Sequence, residues 1–592
     1  MKRFFPILDW GRGYSRETLG NDLVAAVVVT VMLIPQGMAY AMLAGLPPQA
    51  GLYGAMLPLI LYALFGTSRT LAVGPVAVVS LMTAAAAGQI AALGSPGFHL
   101  AALALAALSG AMLLVLGLFR LGFLANFLSH PVISGFITAA GLLIAGSQLR
   151  HLTGAPIEGK TLVELLPSVA ENLGAVHLPT LVLSLAVLGF LFWSRAGLAP
   201  VLRRVGLSAR AAGLAAKGTL LAAVAVSTLL VWGLGLEAVG VRVVGDIPRG
   251  LPEFGLPAFD LDLLALMAVP AAMIAIVGYV ESISIAQTLA AKRRQSIDPD
   301  RELVALGAAN LGAAVTNAMP VTGGLSRSIV NFDAGARTPA AGAYTAAGIA
   351  LALIFLTPLL YFLPRATLAA IIIVAVVSLL DFRALPRTWA YSRADGAAMA
   401  ATILVTLTIG VEQGLLAGVL LSLALHLWRT SRPHVAVVGQ VPGTEHFRNI
   451  RRHEVVTAPE VLSIRVDESL YFPNARFLED RLNDEVAANP GLRHVVLMFT
   501  AVNEVDASAL ESLEAMNARL KAAGVTLHLS EVKGPVMDRL QRGHFLQDLT
   551  GEVFLTQFDA MAALAPELTR QTLAAPRRET SRSVLQARKA AE

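Results

Sequence analysis

The first 432 residues consist largely of long apolar runs, and this feature constrains the fold more than any other. A helix that crosses a bilayer needs about 20 predominantly apolar residues, and this part of the chain supplies roughly fourteen such or shorter segments. They lie at 22–45, 51–66, 75–92, 99–119, 127–149, 178–194, 213–235, 262–289, 302–316, 325–336, 339–362, 365–380, 394–410 and 413–429. Lipid cannot satisfy backbone polar groups, so these segments predict a polytopic α-helical membrane protein.

Charged residues divide the chain into two parts. Residues 1–432 carry 27 Lys and Arg and 19 Asp and Glu, about 11% of that length, whereas soluble domains usually carry about 25%. The remaining 160 residues carry 18 basic and 21 acidic side chains, about 24% of that length. We therefore predict a transmembrane domain over 1–432, a soluble domain over 433–565 and a disordered tail over 566–592.

Basic residues in the short loops indicate the orientation of the chain, because Lys and Arg collect in cytoplasmic loops. With a cytoplasmic N-terminus, the predicted inner loops contain 21 basic residues. The predicted outer loops contain only Arg150, Lys160, Arg242, Arg249 and Arg365. We expect a multi-pass protein of the cell inner (plasma) membrane with both termini cytoplasmic. The net charge of +5 then reflects topology and predicts no nucleic-acid partner.

The sequence offers little for enzymatic chemistry. It contains no cysteine, which excludes disulfides, thiolate nucleophiles and cysteine-based metal sites. Its eleven histidines are scattered and form no HExxH pair. No P-loop or nucleophile elbow is present either. We therefore predict no catalytic residues, no metal and no cofactor.

Two of the apolar segments follow short breaks in the helical pattern. Residues 70–75 read as extended and end in Gly-Pro, and the helical pattern restarts at Val76. Residues 316–324 show the same features before Leu325. Paired interrupted segments in two halves of a membrane domain are typical of transporters whose inverted repeats bring half-helix N-termini to the bilayer midplane. The alternative interpretation is a pair of simple kinks, because glycine and proline are common in membrane helices.

The residues after these breaks suit an anion. The free N–H groups of a helix start carry about half a positive charge, so facing helix starts near Val76–Ala77 and Leu325–Ser326 would form an anion site. Arg327 adds a permanent cation, and the hydroxyls of Ser326 and Ser328 add donors. An arginine at membrane depth is costly, so it should face a wet or paired interior.

Three further polar residues stand out in the apolar spans. Glu281 is the clearest acid, and two roles stay open for it: the proton or cation site that couples transport, or the ion-pair partner of Arg327. Gln36 and Tyr40 follow Pro35 and lie one turn apart on one helix face, where both side chains can complete a pocket.

Four motifs together carry a family resemblance. They are LIPQGMAYA at 33–41, GLY at 51–53, GTSR at 66–69 with VGP at 73–75, and LSRS at 325–328. In this order they resemble the signatures of the SulP anion transporters, a family that includes sulfate permeases, the bicarbonate transporter BicA and animal carriers related to prestin. The resemblance implies 14 spans arranged as a 7+7 inverted repeat, a core domain that moves against a gate domain, and commonly a homodimer.

The resemblance also assigns site residues. It places the anion pocket at Gln36, Tyr40, Pro75, Val76, Ala77, Gly324, Leu325, Ser326 and Arg327. Glu281 matches an acidic position tied to cation coupling. Two positions depart from relatives: Val76 replaces an aromatic residue of several animal members, and Ile285 replaces a hydroxyl residue of sodium-coupled members. The second departure favours a proton over sodium as the coupling ion.

The soluble part alternates short β runs with amphipathic helices, which predicts a compact α/β module. Strands are predicted at 461–466, 494–499 and 525–530, and helices at 474–489, 507–523 and 535–542. The module resembles a STAS domain. Ser508 occupies the position that is phosphorylated in related anti-sigma factor antagonists, which implies a regulatory role. Capping of the helix by Asp506 explains the same motif without phosphorylation.

We therefore predict a secondary active transporter that moves a small inorganic anion, first of all sulfate, across the membrane by alternating access with proton symport. Bicarbonate or a dicarboxylate is an alternative substrate, because helix ends recognise charge more than shape. A membrane-anchored STAS signalling protein is a further alternative. An anchor has no need of Arg327, Glu281 or paired broken spans at bilayer depth.

Overall fold

The computed structural model describes residues 6–123, 129–206, 208, 218–255 and 260–576. The chain forms two compact units, Met1–Ser422 and Leu423–Glu592. The helices before the second unit's first strand are α1 (Ile7–Trp10), α2 (Arg16–Leu43), α3 (Pro48–Tyr53), α4 (Leu57–Phe65), α5 (Ala77–Ile90), α6 (Pro96–Leu118), α7 (His130–Ser147), α8 (Leu149–Thr153), α9 (Leu162–Glu171), α10 (Leu178–Arg204), α11 (Thr219–Gly233), α12 (Leu261–Lys292), α13 (Pro299–Val315), α14 (Leu325–Asp333), α15 (Ala340–Phe355), α16 (Thr357–Leu360), α17 (Arg365–Val377), α18 (Ala384–Tyr391), α19 (Arg393–Thr408) and α20 (Val411–Ser431). Two short strands, β1 (Val73–Gly74) and β2 (Thr322–Gly323), interrupt them.

A helix lies at every predicted apolar segment, so the prediction of a polytopic helical membrane protein is confirmed. Among the described residues, seven helical stretches are long and apolar enough to cross a membrane by length and composition. They are Arg16–Leu43, Pro48–Phe65, Pro96–Leu118, His130–Thr153, Leu178–Arg195, Leu261–Lys292 and Val411–Ser431. The other helices are shorter, and the count of fourteen crossings stays a prediction.

Glycines let the first two long helical stretches approach closely. A Cβ atom placed on Gly51 would lie 1.9 Å from the carbonyl oxygen of Gly37, a distance that no side chain tolerates. The backbones of α2 and α3 therefore meet directly, as small residues allow in membrane helices. This contact gives a physical reason for the glycines in the motifs at 33–41 and 51–53.

The two extended breaks pair with each other. β1 and β2 are antiparallel, with Val73 opposite Gly323 and Gly74 opposite Thr322. Asn310 on α13 bonds both backbone groups of Val321, and the Ser282 hydroxyl accepts from the Gly323 N–H at 2.8 Å. Non-helical backbone at membrane depth needs such partners. The prediction of two extended leads into half-helices is confirmed, and simple kinks are excluded.

A buried carboxylate stabilises the turn that precedes β1 through hydrogen bonds. Glu302 on α13 is fully buried and accepts from the Tyr62 hydroxyl at 2.7 Å. Its other oxygen accepts from the Thr67 N–H, the Thr67 hydroxyl and the Ser68 N–H at 2.6–3.0 Å. This carboxylate therefore joins α4, the turn and α13. No local pattern in the sequence marks Glu302 for this role.

The second unit has a six-stranded mixed sheet. Its strands are β3 (Val435–Gln440), β4 (Phe447–Asn449), β5 (Val461–Val466), β6 (His494–Met498), β7 (Thr526–Ser530) and β8 (Val553–Phe554), in the order β4-β3-β5-β6-β7-β8. Its helices are α21 (Ala475–Ala488), α22 (Ala507–Ala522), α23 (Gly534–Leu540), α24 (Phe545–Asp548), α25 (Gln557–Leu564) and α26 (Pro566–Ala574). Strands β5 to β8 are parallel, while β3 is antiparallel to both neighbours. The predicted α/β module is confirmed.

The structure differs from the predicted disordered tail at its beginning. Pro566–Ala574 is a helix, not disordered chain. Thr569 and Thr572 are buried, and the Thr572 carbonyl accepts from the Gly443 N–H at 2.8 Å. Packing on one face therefore orders this segment despite its polar composition. Residues 577–592 lie outside the described residues.

A buried histidine makes the second unit sensitive to acid. His528 on β7 accepts the Glu552 N–H at Nδ1 (3.0 Å), and burial together with neighbouring His494 lowers the pKa of His528 from 6.5 to about 4. The unfolded chain takes up a proton on His528 near pH 6.5 while the folded chain keeps this side chain neutral, so the stability of the second unit falls as pH drops below that value.

We expect faster amide exchange in β7 of the full chain at about pH 5 than at about pH 7, after correction for intrinsic rates. Exchange that is equally slow at both pH values would contradict this prediction. A His528→Gln variant should lose the difference, whereas a substitution of exposed His446 should keep it.

Candidate functional site

A cavity of about 240 Å³ lies at the starts of the two half-helices α5 and α14. Its lining residues come from α2, α5, α12, α14 and α17 and from residues that flank these helices: Gln36, Tyr40, Val76, Ala77, Val78, Glu281, Gly324, Leu325, Ser326, Arg327, Ile329, Ala375, Val376, Ser378 and Leu379. The structure thus brings every predicted pocket residue except Pro75, together with Glu281, into the lining of one cavity.

Both helix starts are open toward this cavity. α5 begins after Val76 and α14 begins after Gly324, and neither preceding residue makes a side-chain cap. The first N–H groups of each helix have no partner within their own helix. Their positive ends therefore meet at one place, which is an arrangement that binds negative charge.

The Arg327 guanidinium folds back over the paired strands. Its Nη1 donates to the Pro75 carbonyl at 2.5 Å, so Pro75 holds the arginine and does not line the cavity. A Cβ atom on Gly324 would lie 2.8 Å from Nη2, so a side chain at that position would displace the guanidinium from its place. Arg327 is 1% exposed, and its Nε and Nη2 have no hydrogen-bond partner among the described residues. Two charged donors therefore remain available beside the cavity.

An ion pair between Arg327 and Glu281, one of the two roles left open for Glu281, is absent among the ion pairs of the described residues. Glu281 is half-buried and lines the cavity as a separate acid. Gln36 is buried, and its Oε1 has no partner among the described residues. Tyr40 is buried one turn away on α2. Acceptor and donor groups thus face the same small space.

Ser328 serves the backbone instead of the cavity. Its hydroxyl donates to the Gly324 carbonyl at 2.7 Å and accepts from the Ala72 N–H at 2.9 Å. The expectation that Ser328 offers a free hydroxyl is therefore wrong, because β1 already uses it. Ser326 does line the cavity.

Sequence reasoning missed one wall of the cavity. Ala375, Val376, Ser378 and Leu379 come from the end of α17, and Ile329 comes from α14. These residues carry no distinguishing signal, since apolar residues and a single serine at the end of an apolar helix look alike whichever helix they face.

Ser508 lies in the first turn of α22 and is exposed. Asp506 caps this helix by accepting the Ala509 N–H at 2.8 Å and also accepts the Phe472 N–H at 2.9 Å. Capping therefore accounts for the conformation of the motif. A regulatory role of Ser508 stays a prediction.

Comparisons with known proteins agree with this architecture. The sulfate permease family matches residues 19–402, and the STAS domain matches residues 452–560. A protein described as sulfate transporter 4.1, chloroplastic, of Arabidopsis thaliana is 35% identical over 570 residues, covering 93% of this chain and 81% of the relative. A probable sulfate transporter of Mycobacterium tuberculosis is 34% identical over 560 residues, covering 93% of this chain and 96% of the relative.

Solved structures share the fold. The murine solute carrier 26 family member A9 anion transporter, solved in an inward-facing state, superimposes with a TM-score of 0.87 at 23% identity and covers 95% of this chain and 94% of its own. The transmembrane domain of a cyanobacterial bicarbonate transporter, BicA, gives a TM-score of 0.59 at 22% identity over 68% of this chain and 98% of its own. The family match over 19–402 and the relatives at 34–35% identity show that the chain belongs to the sulfate permease family of membrane transporters, and it carries a STAS domain in its C-terminal part.

Proposed function

We propose that this protein is a secondary active transporter of a small inorganic anion. The observation that carries the proposal is the meeting of two uncapped helix starts with the unpaired donors of Arg327 in one cavity. Together they supply a charge field and several donors for an anion in a space of about 240 Å³. We assign substrate binding to the residues predicted from the sequence. Pro75 contributes indirectly, because its carbonyl holds the Arg327 guanidinium.

Sulfate is our first choice of substrate. Two relatives with at least 34% identity are described as sulfate transporters. Two charges on a compact tetrahedral ion suit two helix starts and one guanidinium better than a single charge does. Bicarbonate and small dicarboxylates are the alternatives, and direct competition distinguishes them.

We propose alternating access as the mechanism. We assign the α5 and α14 starts and the β1–β2 pair to the core, and the end of α17, which also lines the cavity, to the gate. Movement of the core against a gate that includes α17 would expose the anion to one side of the membrane and then to the other. We further propose that the protein has 14 spans arranged as a 7+7 inverted repeat and forms a homodimer in the plasma membrane. Both termini and the STAS domain would then be cytoplasmic. Regulation through Ser508 belongs to the same proposal.

Glu281 provides a test of proton coupling. Its carboxyl group faces the anion cavity without an ion-pair partner among the described residues, so it can take up and release a proton during the cycle. We expect Glu281→Gln to remove the pH dependence of anion uptake into proteoliposomes while anion binding persists. An unchanged pH profile would assign Glu281 a structural role. An exposed control, Glu445→Gln, should leave the profile unaltered.

Reconstituted transport tests the proposal as a whole. Purified protein in proteoliposomes is supplied with labelled sulfate, bicarbonate or fumarate, with or without an imposed proton or sodium gradient. We expect concentrative sulfate uptake driven by the proton gradient and not by sodium. No gradient-dependent uptake of any of the three anions would contradict the transporter proposal.

A further inference from the structure

A second cavity, of about 260 Å³, lies at the opposite end of α17 from the anion cavity. Arg150, Arg242 and Arg365 line it together. These are three of the five basic residues predicted in outer loops, where Lys and Arg are scarce. Topology therefore does not account for their concentration in one place.

Two of the three guanidinium groups donate to neutral acceptors. The Arg365 Nε donates to the Val243 carbonyl at 3.0 Å, and the Arg150 Nε donates to the His151 Nε2 at 3.1 Å. The backbone N–H of Arg365 donates to the Arg242 carbonyl at 3.0 Å, which brings both arginines to the same rim. No carboxylate forms an ion pair with any of the three within the described part of the chain.

The exposed carboxylate of Glu158 acts on Arg150 without forming an ion pair with it, so the cluster of three arginines still favours a further negative charge. Three permanent cations that share a cavity repel one another, and each must keep its outer nitrogens solvated. The start of α17 adds positive potential, because Pro364 provides no side-chain cap and Ala366 of the first turn lines the cavity. Guanidinium groups bind oxyanions through paired hydrogen bonds. The chemistry of the lining thus selects an oxyanion.

We infer that this second cavity is a peripheral site for a small doubly charged oxyanion such as sulfate or a phosphate group. It is separate from the anion cavity, and its existence does not depend on which anion is transported. Arg150, Arg242 and Arg365 bind the oxygens, and the first turn of α17 adds its dipole. The same chemistry fits a free anion outside the cell or the phosphate of a lipid headgroup.

One helix, α17, connects this site to the anion cavity. α17 begins at Arg365 in the second cavity and ends beside Ala375, Val376, Ser378 and Leu379 in the anion cavity. The helix is 13 residues long, or about 20 Å at the usual rise per residue. An oxyanion bound at one end therefore stabilises the position of a wall of the other cavity.

Sulfate-dependent thermal stability of the purified full chain tests the inference. In an Arg327→Ala background, which weakens the anion cavity, we expect sulfate still to raise the melting temperature. Adding Arg150→Gln and Arg242→Gln should increase the half-saturating sulfate concentration at least about tenfold. Arg249→Gln removes another arginine from the same predicted face without touching the cavity and should have no effect. If Arg327→Ala does not fold, the double variant is compared with wild type, where it should remove one phase of a two-phase sulfate titration.

The outcomes separate the alternatives. The inference would be overturned if sulfate no longer raised the melting temperature of a folded Arg327→Ala protein. It would also be overturned if the arginine double variant kept the same half-saturating sulfate concentration. Repeating the titration in nanodiscs of phosphatidylcholine alone or with phosphatidylglycerol identifies the source of the oxyanion. Competition by phosphatidylglycerol supports the site with a headgroup as its ligand, and persistence of the sulfate response supports a free anion. If proteoliposomes show no transport but sulfate still raises the melting temperature through the second cavity, the proposed function is contradicted and the peripheral site is not.

Discussion

Replacing Arg327 with alanine should weaken sulfate binding by about 100-fold, because two charge-assisted hydrogen bonds from Nε and Nη2, each worth about 1.5 kcal/mol, are lost. Uptake of labelled sulfate at low concentration should fall in proportion. Arg327→Lys keeps the positive charge but not the planar guanidinium with its paired donors, so we expect it to recover only part of the lost sulfate affinity. The measurement is equilibrium sulfate binding to the purified protein, with uptake into proteoliposomes as the second readout.

The loss must be separated from misfolding, since Arg327 also holds the Pro75 carbonyl. Size-exclusion elution and thermal unfolding of the variant provide that check. Arg387→Ala is the matched control: it removes the positive charge of an exposed side chain that lies 3.4 Å from Asp381 and does not line the cavity. Wild-type kinetics in a folded Arg327→Ala protein would exclude Arg327 from the mechanism.

Glu302→Ala should cause the largest loss of stability in the transmembrane unit. The substitution leaves the Tyr62 hydroxyl and the Ser68 N–H buried without their acceptor, and it also removes the acceptor of the two half-buried Thr67 donors. Uncompensated buried donors cost about 1–3 kcal/mol each, so we expect the apparent melting temperature to fall by about 5–10 °C or more. Thermal unfolding of the detergent-solubilised chain, followed by fluorescence-detected size exclusion, measures it.

Two comparisons make the Glu302 prediction specific. Tyr62→Phe removes only one of the hydrogen bonds and should cost a smaller part of the same shift. Glu171→Ala removes an exposed acid at the end of α9 and should leave the melting temperature near that of wild type. If the Glu302→Ala protein has the same melting temperature as wild type, the turn before β1 is held by other contacts.

The sequence predicts the half-helices because their signal is local. Gly74 and Pro75 stop the first extended run, and Gly323 and Gly324 stop the second, so backbone chemistry marks both sites directly. The polar residues at the anion cavity are also visible, since Arg327 and Glu281 are rare inside apolar runs. Nothing local reveals that Pro75 holds the arginine or that Ser328 bonds to β1.

Glu302 shows where sequence reasoning stops. It lies in the run Asp298-Pro299-Asp300-Arg301-Glu302, which reads as an ordinary acidic helix start. Its burial depends on Tyr62 and Thr67, more than 230 positions away in the chain. The arginines of the second cavity are hidden in the same way, because Arg150, Arg242 and Arg365 meet only after the chain folds. Long-range pairing of this kind carries no periodic or spacing signal.

Direct location of a bound anion tests the central claim most closely. Selenate is a sulfate analogue whose selenium scatters anomalously, so crystals of the full chain grown with saturating selenate report its position. We predict an anomalous peak in the anion cavity, within about 4 Å of the backbone nitrogens of Val78 and Ser326. A saturated crystal with no peak between the starts of α5 and α14 would contradict the account.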